Sequence, residues 1–564
     1  MVVALEKCIG PSPDGVSLKM DIEENRPPEL NTEPAGLISY DTEYETGQDN
    51  VQLLGMDLHN PVFFISAATI LLFISFALIF PVRAGDLLIG SKNWTLENFD
   101  WFFMLTTNVA ILFCLFIAFS KFGKIRFGGE TAKPEYGFLS WLSMLFAAGV
   151  GIGLLFYGAA EPMAYYTDWF GTPLNVDAMT PEAKRLAFSS TIFHWALSPW
   201  AVYAVVGMSL AFFAYNKDLP LTIRSAFYPI FGDRIWGWPG HIIDLLAVLA
   251  TLFGLATSLG LGAKQAATGL HFLFGIENSL NTQIVLIVCI TGLAIGSVVR
   301  GLDGGIKLLS NINIVIAVLL FLFVVSVGPT LEIFKGFGLN AVNYIQDTPR
   351  LSNVFGREDE TFYHGWTIFY WAWWVSWSPF VGMFIARVSK GRTIREFLVA
   401  VLGLPMLVAI GWFTAFGTTA IKQIDENIGE LPGGITDISL TLFQMLDSLP
   451  FSEISSFVAI LLLIVFFVTS SDSGSLVIDN ITAGGKLAVP VPQRVFWASV
   501  EGLVAIVLLI GGGTKALTSI QAGAITAGLP FAFVILVCCY SLYRGLSEDS
   551  AMALESFESN KVES

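Results

Sequence analysis

Charge is what this chain of 564 residues has least of. Asp, Glu, Lys and Arg make up 13% of it, about half the share of a typical soluble protein, roughly 25%. Long stretches lodged in hydrocarbon explain such a deficit, because a charge near the bilayer centre costs roughly 2.5–3.5 kcal/mol on insertion scales. Cysteine is scarce too. Cys8, Cys114, Cys289, Cys538 and Cys539 fit neither a zinc spacing nor a disulfide framework. The adjacent pair lies in an apolar run, where Cys acts as a small buried hydrophobe. No GxxxxGK[ST] loop is present; the nearest, AGGKLA at 483–488, lacks the first glycine and the hydroxyl. Direct coupling to ATP is therefore not expected. Nor does any nucleophile–base or metal constellation stand out, so no enzyme and no bound cofactor are expected. The net charge of −16 sits largely in the two ends of the chain, which argues against nucleic acid as a partner.

What is present is apolar sequence, 54% of the chain. A helix crossing the hydrocarbon core needs about 20 apolar residues. Twelve such windows occur, near 61–82, 101–120, 137–160, 187–213, 241–262, 283–300, 310–330, 366–388, 397–420, 451–471, 494–512 and 519–543. The reading is an all-α membrane protein with 12 transmembrane helices, called spans 1 to 12 below. Two amphipathic stretches, 331–346 and 437–448, are too short to span and are expected to lie across the bundle. The first fifty residues are polar and acidic, with no apolar core after a basic start, so a cleaved leader is not expected. Both acidic ends are expected to be disordered for want of apolar surface. The richest Lys/Arg loops, KFGKIRFGGETAK after span 2 and ARVSKGRTIRE after span 8, fall inside if both termini are cytoplasmic.

Four spans carry unusual chemistry. Span 3 contains AAGVGIGLLFYGAAEP, with Gly149, Gly151 and Gly153 in alternation. One close crossing needs only a GxxxG pair. A third glycine, each weakening a helix by about 1 kcal/mol relative to Ala, points to a helix that unwinds to offer its backbone to a solute or ion. Span 8 contains FYWAWWVSWSPF, 369–380, with Trp373 and Trp377 on one face, Trp374 to the side, and Pro379 withdrawing a hydrogen bond and freeing the carbonyl near Val375. An irregular helix beside a cavity is expected there. Span 4 contains FHWALSPWAVY, with Trp195, Trp200 and Tyr203 around Pro199. Rings facing a cavity suit a cation that cannot hydrogen-bond, a quaternary ammonium above all, each contact contributing about 0.5–2 kcal/mol. Span 10 ends in FFVTSSDSGS, whose hydroxyls and carbonyls suit a hard cation. Asp472 there and Glu161 of span 3 are intramembrane acids and candidate gating groups. His194 has no second histidine nearby and reads as a packed, hydrogen-bonded residue.

Taken together, GVGIGLLFYGAAEP, FHWALSPWAVY, TLFGLATSLGLGA, FYWAWWVSWSPFVGMFIARVSKGRTIREF and FFVTSSDS resemble the betaine/carnitine/choline transporters, over roughly residues 55–545. The resemblance implies two inverted five-helix repeats, the sodium-symporter or LeuT-type fold, behind two additional N-terminal helices, and a homotrimer in the cell (inner or plasma) membrane. The divisions expected are a cytoplasmic tail 1–58, two additional helices 59–128, first repeat 129–346, second repeat 347–545 and a short tail 546–564. Carried over by motif position, Trp195, Trp200, Tyr203 and Trp374 form a substrate box. Trp373, Trp377 and Phe384 line the pathway with Gly149, Gly151 and Gly153. One sodium sits on backbone oxygens of Ala147 and Val150 together with Phe466, Thr469 and Ser470. A second uses Thr251 and Phe380, but Leu255 stands where the sodium-coupled members have threonine, and Ser258 is the nearest substitute oxygen. The implied activity is Na⁺ symport of a zwitterion such as glycine betaine or dimethylsulfoniopropionate. Choline carriers of the family often bear Asp at the position of Gly153, so a zwitterion is expected here; ectoine and the bulkier carnitine rank behind. The alternative is proton-coupled or exchange transport of choline, carnitine or ectoine, and a gated channel is more remote. The short acidic C-terminal tail gives no support to activation by osmotic stress.

Overall fold

The computed structural model describes residues 39–149, 151–300, 307–512 and 516–563. Helix dominates, as it must where backbone polar groups have no water to pair with. Among the described residues, nine helices are long and apolar enough to cross a membrane. A tenth is the pair Asn311–Val327 and Thr330–Leu351, bent by 113°. The helices fall on the windows read from the sequence, but this criterion is met by nine or ten of them and not by twelve. The two motif-bearing windows are the reason. Span 3 is split into Phe138–Gly149, Ile152–Tyr157 and Ala160–Tyr166, and span 8, 19 residues long, is rich in weakly apolar Trp and Tyr.

The helices sort into centre and rim. In the span 4 helices, Pro181–Asn216, 94% of the apolar window is buried, against 39% in Val62–Ile79 and 33% in Leu280–Val299. Leu71, Leu72, Leu78, Leu112, Val285, Val288 and Leu293 are exposed, the surface a lipid solvent requires. Span 4 and span 8 cross closely at two glycines. A Cβ on Gly207 would stand 2.7 Å from Ile385 Cγ1, and one on Gly382 would stand 2.6 Å from Val206 Cγ1. This crossing brings the two ring-rich segments together.

Pro379 does not break its helix. Phe369–Arg387 runs through it, and the carbonyl of Val375 is taken by the Ser378 hydroxyl at 2.7 Å. The irregularity lies earlier, in the π-helical turn Tyr363–Ile368. Span 4 likewise breaks at Ala196 (φ −88°, ψ −110°), between Pro181–Trp195 and Leu197–Asn216, three residues before its proline.

Neither tail matches its expectation of disorder where it is described. Asn50–Leu53 (β1) pairs antiparallel with Met56–His59 (β2). Asn50 Nδ2 donates to the Ala483 carbonyl (2.9 Å), Lys486 reaches Asp57 (2.6 Å), and Tyr44 stacks on Trp236 with centroids 4.2 Å apart. These anchors to other loops offset the poor apolar content. At the other end, helix Ala516–Glu563 runs on through SEDSAMALESFE, with Arg544 and Glu548 paired one turn apart at 2.9 Å. Tyr40 donates to Glu548 (3.0 Å), so the chain near Tyr40 lies against this C-terminal helix. The two basic loops also meet each other: Arg126 donates to the Gly391 carbonyl (2.5 Å), and Phe127 N–H to that of Arg392 (3.0 Å).

Candidate functional site

The site begins at the break in span 3. Gly151 is extended (φ −133°, ψ −158°) between helix Phe138–Gly149 and helix Ile152–Tyr157, so the chain unwinds where the glycine run led us to expect it. Close approach explains two of the three glycines. A Cβ on Gly151 would lie 3.3 Å from Trp377 Cη2 and 3.9 Å from Ser470 Oγ. One on Gly153 would overlap the indole of Trp195. The break thus touches span 8, span 10 and span 4 at once. Gly149 closes the first helix segment and Ala147 lies in its last turn; Val150 lies outside the described residues.

Around the break stand the rings. Trp195 meets Trp374 edge to face at 4.9 Å and 70°. Tyr203 lies 6.5 Å from Trp374 and 5.6 Å from Trp200, both nearly perpendicular. The box residues drawn from spans 4 and 8 are therefore contiguous and buried. Trp373 stacks on Trp374 at 4.8 Å, and Trp377 meets Trp373 at 6.2 Å and Phe380 at 5.6 Å. Phe384 is half-buried a turn beyond Phe380. Rings that the sequence reading passed over join in. Tyr157 lies 6.0 Å from Trp195 and 6.5 Å from Trp373, and Phe413 lies 5.5 Å from Trp195.

Polar atoms divide the tryptophans into two kinds. The indole N–H of Trp195 donates to Glu161 Oε2 (2.7 Å) and that of Trp374 to the His194 carbonyl (2.9 Å). The N–H groups of Trp373 and Trp377 and the hydroxyl of Tyr203 are buried with no hydrogen-bond partner among the described residues. A buried unpaired donor costs about 1–3 kcal/mol, so each of the three marks a place where an acceptor from outside the chain is at a premium.

The cation-binding candidates separate as well. Thr469 and Phe466 are buried on the helix Ser452–Thr482, and Thr469 Oγ1 donates to its own helix at Val465 (3.1 Å) and Phe466 (3.0 Å). Asn313 Nδ2 donates to Thr469 Oγ1 (3.3 Å), while Asn313 Oδ1 is buried without a partner. Sequence reasoning missed Asn313, although two Asn at the start of the apolar run NINIVIAV were its signal. Thr251 offers a buried hydroxyl with no partner among the described residues. Leu255, one turn on, packs its methyl groups against Gly474, and the Ser258 hydroxyl already donates to the Gly254 carbonyl (3.3 Å). Asp472 is not part of the ring cluster; it accepts from Ser297 (2.5 Å) on helix Leu280–Arg300. Glu501, also missed, accepts from Ser471 (3.2 Å) and Ser475 (3.4 Å). Glu161 and His194 are fully buried and joined at 2.8 Å, and His194 Nε2 lies 3.0 Å from Thr367 Oγ1.

A bundle of apolar helices, with one helix unwound beside a buried cage of rings, defines a multi-pass membrane transporter of small solutes. Residues 61–551 match the model of the BCCT, the betaine/carnitine/choline family transporters. The chain belongs to that family, and so to the betaine-type transporters of compatible solutes. It is 57% identical over 508 residues to a glycine betaine/proline/choline/ectoine transporter of Vibrio parahaemolyticus, covering 90% of each chain. It is 55% identical over 510 residues to glycine betaine transporter 1 of the same organism, covering 90% of this chain and 97% of the other. Among solved structures, the manganese transporter of Eremococcus coleocola superposes with a TM-score of 0.40 at 15% identity, over 74% of this chain and 82% of that one. That likeness is too loose to argue from.

Proposed function

We propose that the protein is a secondary active carrier that moves a quaternary ammonium or sulfonium zwitterion together with Na⁺ by alternating access. The observation that carries this is the pairing of two unlike surfaces in one place. The faces of Trp195, Trp200, Tyr203 and Trp374 suit a methylated cation that has no hydrogen to donate. The unpaired N–H groups of Trp373 and Trp377, with the Tyr203 hydroxyl, suit a carboxylate. A zwitterion offers both ends. Glycine betaine stands first, because it is named for both Vibrio relatives. Dimethylsulfoniopropionate has the same pattern of charge.

Sodium would be held where the broken span 3 faces span 10. Carbonyls of Ala147 and Val150 and oxygens of Phe466, Thr469 and Ser470 are the ligands proposed, and the nearness of Ser470 Oγ to where a Cβ of Gly151 would stand supports that pairing. An ion there ties the two repeats together in the form that accepts substrate, which is how its gradient would drive uptake. We place the protein in the plasma membrane with both termini cytoplasmic, as a homotrimer.

The test is uptake by purified protein in proteoliposomes, with an inward Na⁺ gradient against an equal K⁺ gradient. The panel is glycine betaine, dimethylsulfoniopropionate, choline, carnitine and ectoine. Concentrative, saturable uptake of a zwitterion with Na⁺ alone supports the proposal. Uptake indifferent to Na⁺ selects proton coupling or exchange instead, and unsaturable flux along the gradient selects a gated channel.

A further inference from the structure

We propose that Glu161 is a positioning residue for the substrate box, acting through the ring of Trp195. The proposal rests on the box reading given above. Glu161 lies in helix Ala160–Tyr166, the outermost piece of the broken span 3, and is wholly buried. Its Oε1 accepts from the Tyr165 hydroxyl (2.8 Å) and lies 2.8 Å from His194 Nδ1. Its Oε2 accepts from Trp195 Nε1 (2.7 Å) and the Tyr370 hydroxyl (2.6 Å). A carboxyl group inside a membrane protein is costly to keep, and here four side chains are committed to aiming it.

The direction of aim is what matters. Glu161 meets the N–H edge of Trp195, so this hydrogen bond itself covers neither face of the ring. A cation on an aromatic ring binds the face. Gly153, eight residues earlier in the same span, leaves the space that the opposite end of this indole fills. Trp374 meets the indole at 4.9 Å and is itself held through the His194 carbonyl. Hence Glu161 and His194 between them fix two rings of the box by their edges. Trp373 and Trp377, with no partner for their N–H groups among the described residues, are left to read the other end of the substrate. Only Trp195 is anchored to a carboxylate, which makes Glu161 the group whose loss turns one ring without emptying the site.

Glutamine in its place keeps the volume but offers one acceptor oxygen, so one end presents an NH₂ to groups that donate. The experiment uses full-length protein in proteoliposomes and compares wild type, E161Q, W195F and E161Q/W195F for glycine betaine uptake. A second readout is the ¹⁹F spectrum of protein labelled with 5-fluorotryptophan, where the Trp195 signal is the one lost in W195F. We expect E161Q to raise KM tenfold or more with Vmax within threefold, and to shift the Trp195 signal in the absence of substrate. Added to W195F, it should raise KM by less than twofold. An unchanged KM, a Trp195 signal that does not move, or effects of the two substitutions that simply multiply would each overturn the proposal. Should E161Q not be recovered folded, Y165F/Y370F removes two of the aiming hydroxyls and keeps the rings. It should raise KM at least threefold and shift the same signal; an unchanged KM or an unmoved signal would overturn the proposal. If wild type takes up no glycine betaine, the substrate reading fails, while the ¹⁹F signal still decides the positioning role.

Discussion

Leu255 shows how much one side chain decides. It occupies the helix turn after Thr251, and its methyl groups fill the space over Gly474 rather than presenting an oxygen. Thr251 keeps an unpaired hydroxyl beside it. Leu255→Thr should therefore steepen the sodium dependence of uptake, measured as the Hill slope in proteoliposomes, at a packing cost of about 1–2 kcal/mol for the lost apolar contact. A sodium curve that keeps its slope would mean no second ion binds here. Trp377 is the opposite case. It touches the span 3 break at Gly151, and its N–H has no partner. Trp377→Leu should abolish uptake while the protein still elutes as a single folded species from size-exclusion chromatography. Transport with unchanged KM would remove Trp377 from the site.

Elements behave differently from what their composition suggests. The β1–β2 hairpin is held by buried groups, and His59 is central: its Nε2 accepts from Arg224 (2.9 Å) and its Nδ1 lies 3.3 Å from Asn50 Oδ1. Burial, and then the charges of Arg224 and His241, push its pKa from the ordinary 6.5 down to about 3. The sign follows from which form the fold excludes. The docked hairpin holds His59 neutral, whereas the released segment protonates it below about 6.5, so docking weakens as pH falls. Each pH unit below that value costs roughly 1.4 kcal/mol. Hydrogen exchange at residues 50–59, corrected for intrinsic rates, should show protection falling by about 2 kcal/mol between pH 7 and pH 5. In His59→Gln this slope should vanish; a persisting slope would assign it to another group. The proline in span 8 teaches a related lesson. A missing N–H does not bend a helix when a neighbouring hydroxyl, Ser378, takes the freed carbonyl.

At the scale of the whole molecule, the core is a set of contacts made across very long separations in sequence. Glu161 and Tyr370 are 209 residues apart, and Trp195 and Glu161 are 34 apart. Apolar side chains cover the rim helices Val62–Ile79 and Leu280–Val299. Such surface suits lipid and neighbouring subunits alike. The homotrimer proposed for this protein should appear in native mass spectrometry from mild detergent as a mass of three chains. Monomer at every detergent and concentration tried would remove it.

Hydropathy and glycine content are local properties, so the sequence alone determined the spans, the unwinding of span 3 and the ring-rich faces of spans 4 and 8. In a bilayer the backbone must bond within its own helix, and that rule leaves few alternatives to a bundle. The family resemblance named the rings expected to form a box, and the structure places those rings in contact. What only the tertiary structure decided was partnership. The sequence marked Glu161 as an intramembrane acid but not that it holds Trp195, because Tyr370 and His194 reach it from other helices. It marked Pro379 but not the hydroxyl that compensates for it. It left the segment before span 1 as polar and disordered, because the anchors of residues 44–57, Ala483, Lys486 and Trp236, lie far along the chain. Composition measures what a segment buries by itself; docking depends on what other segments bring to it.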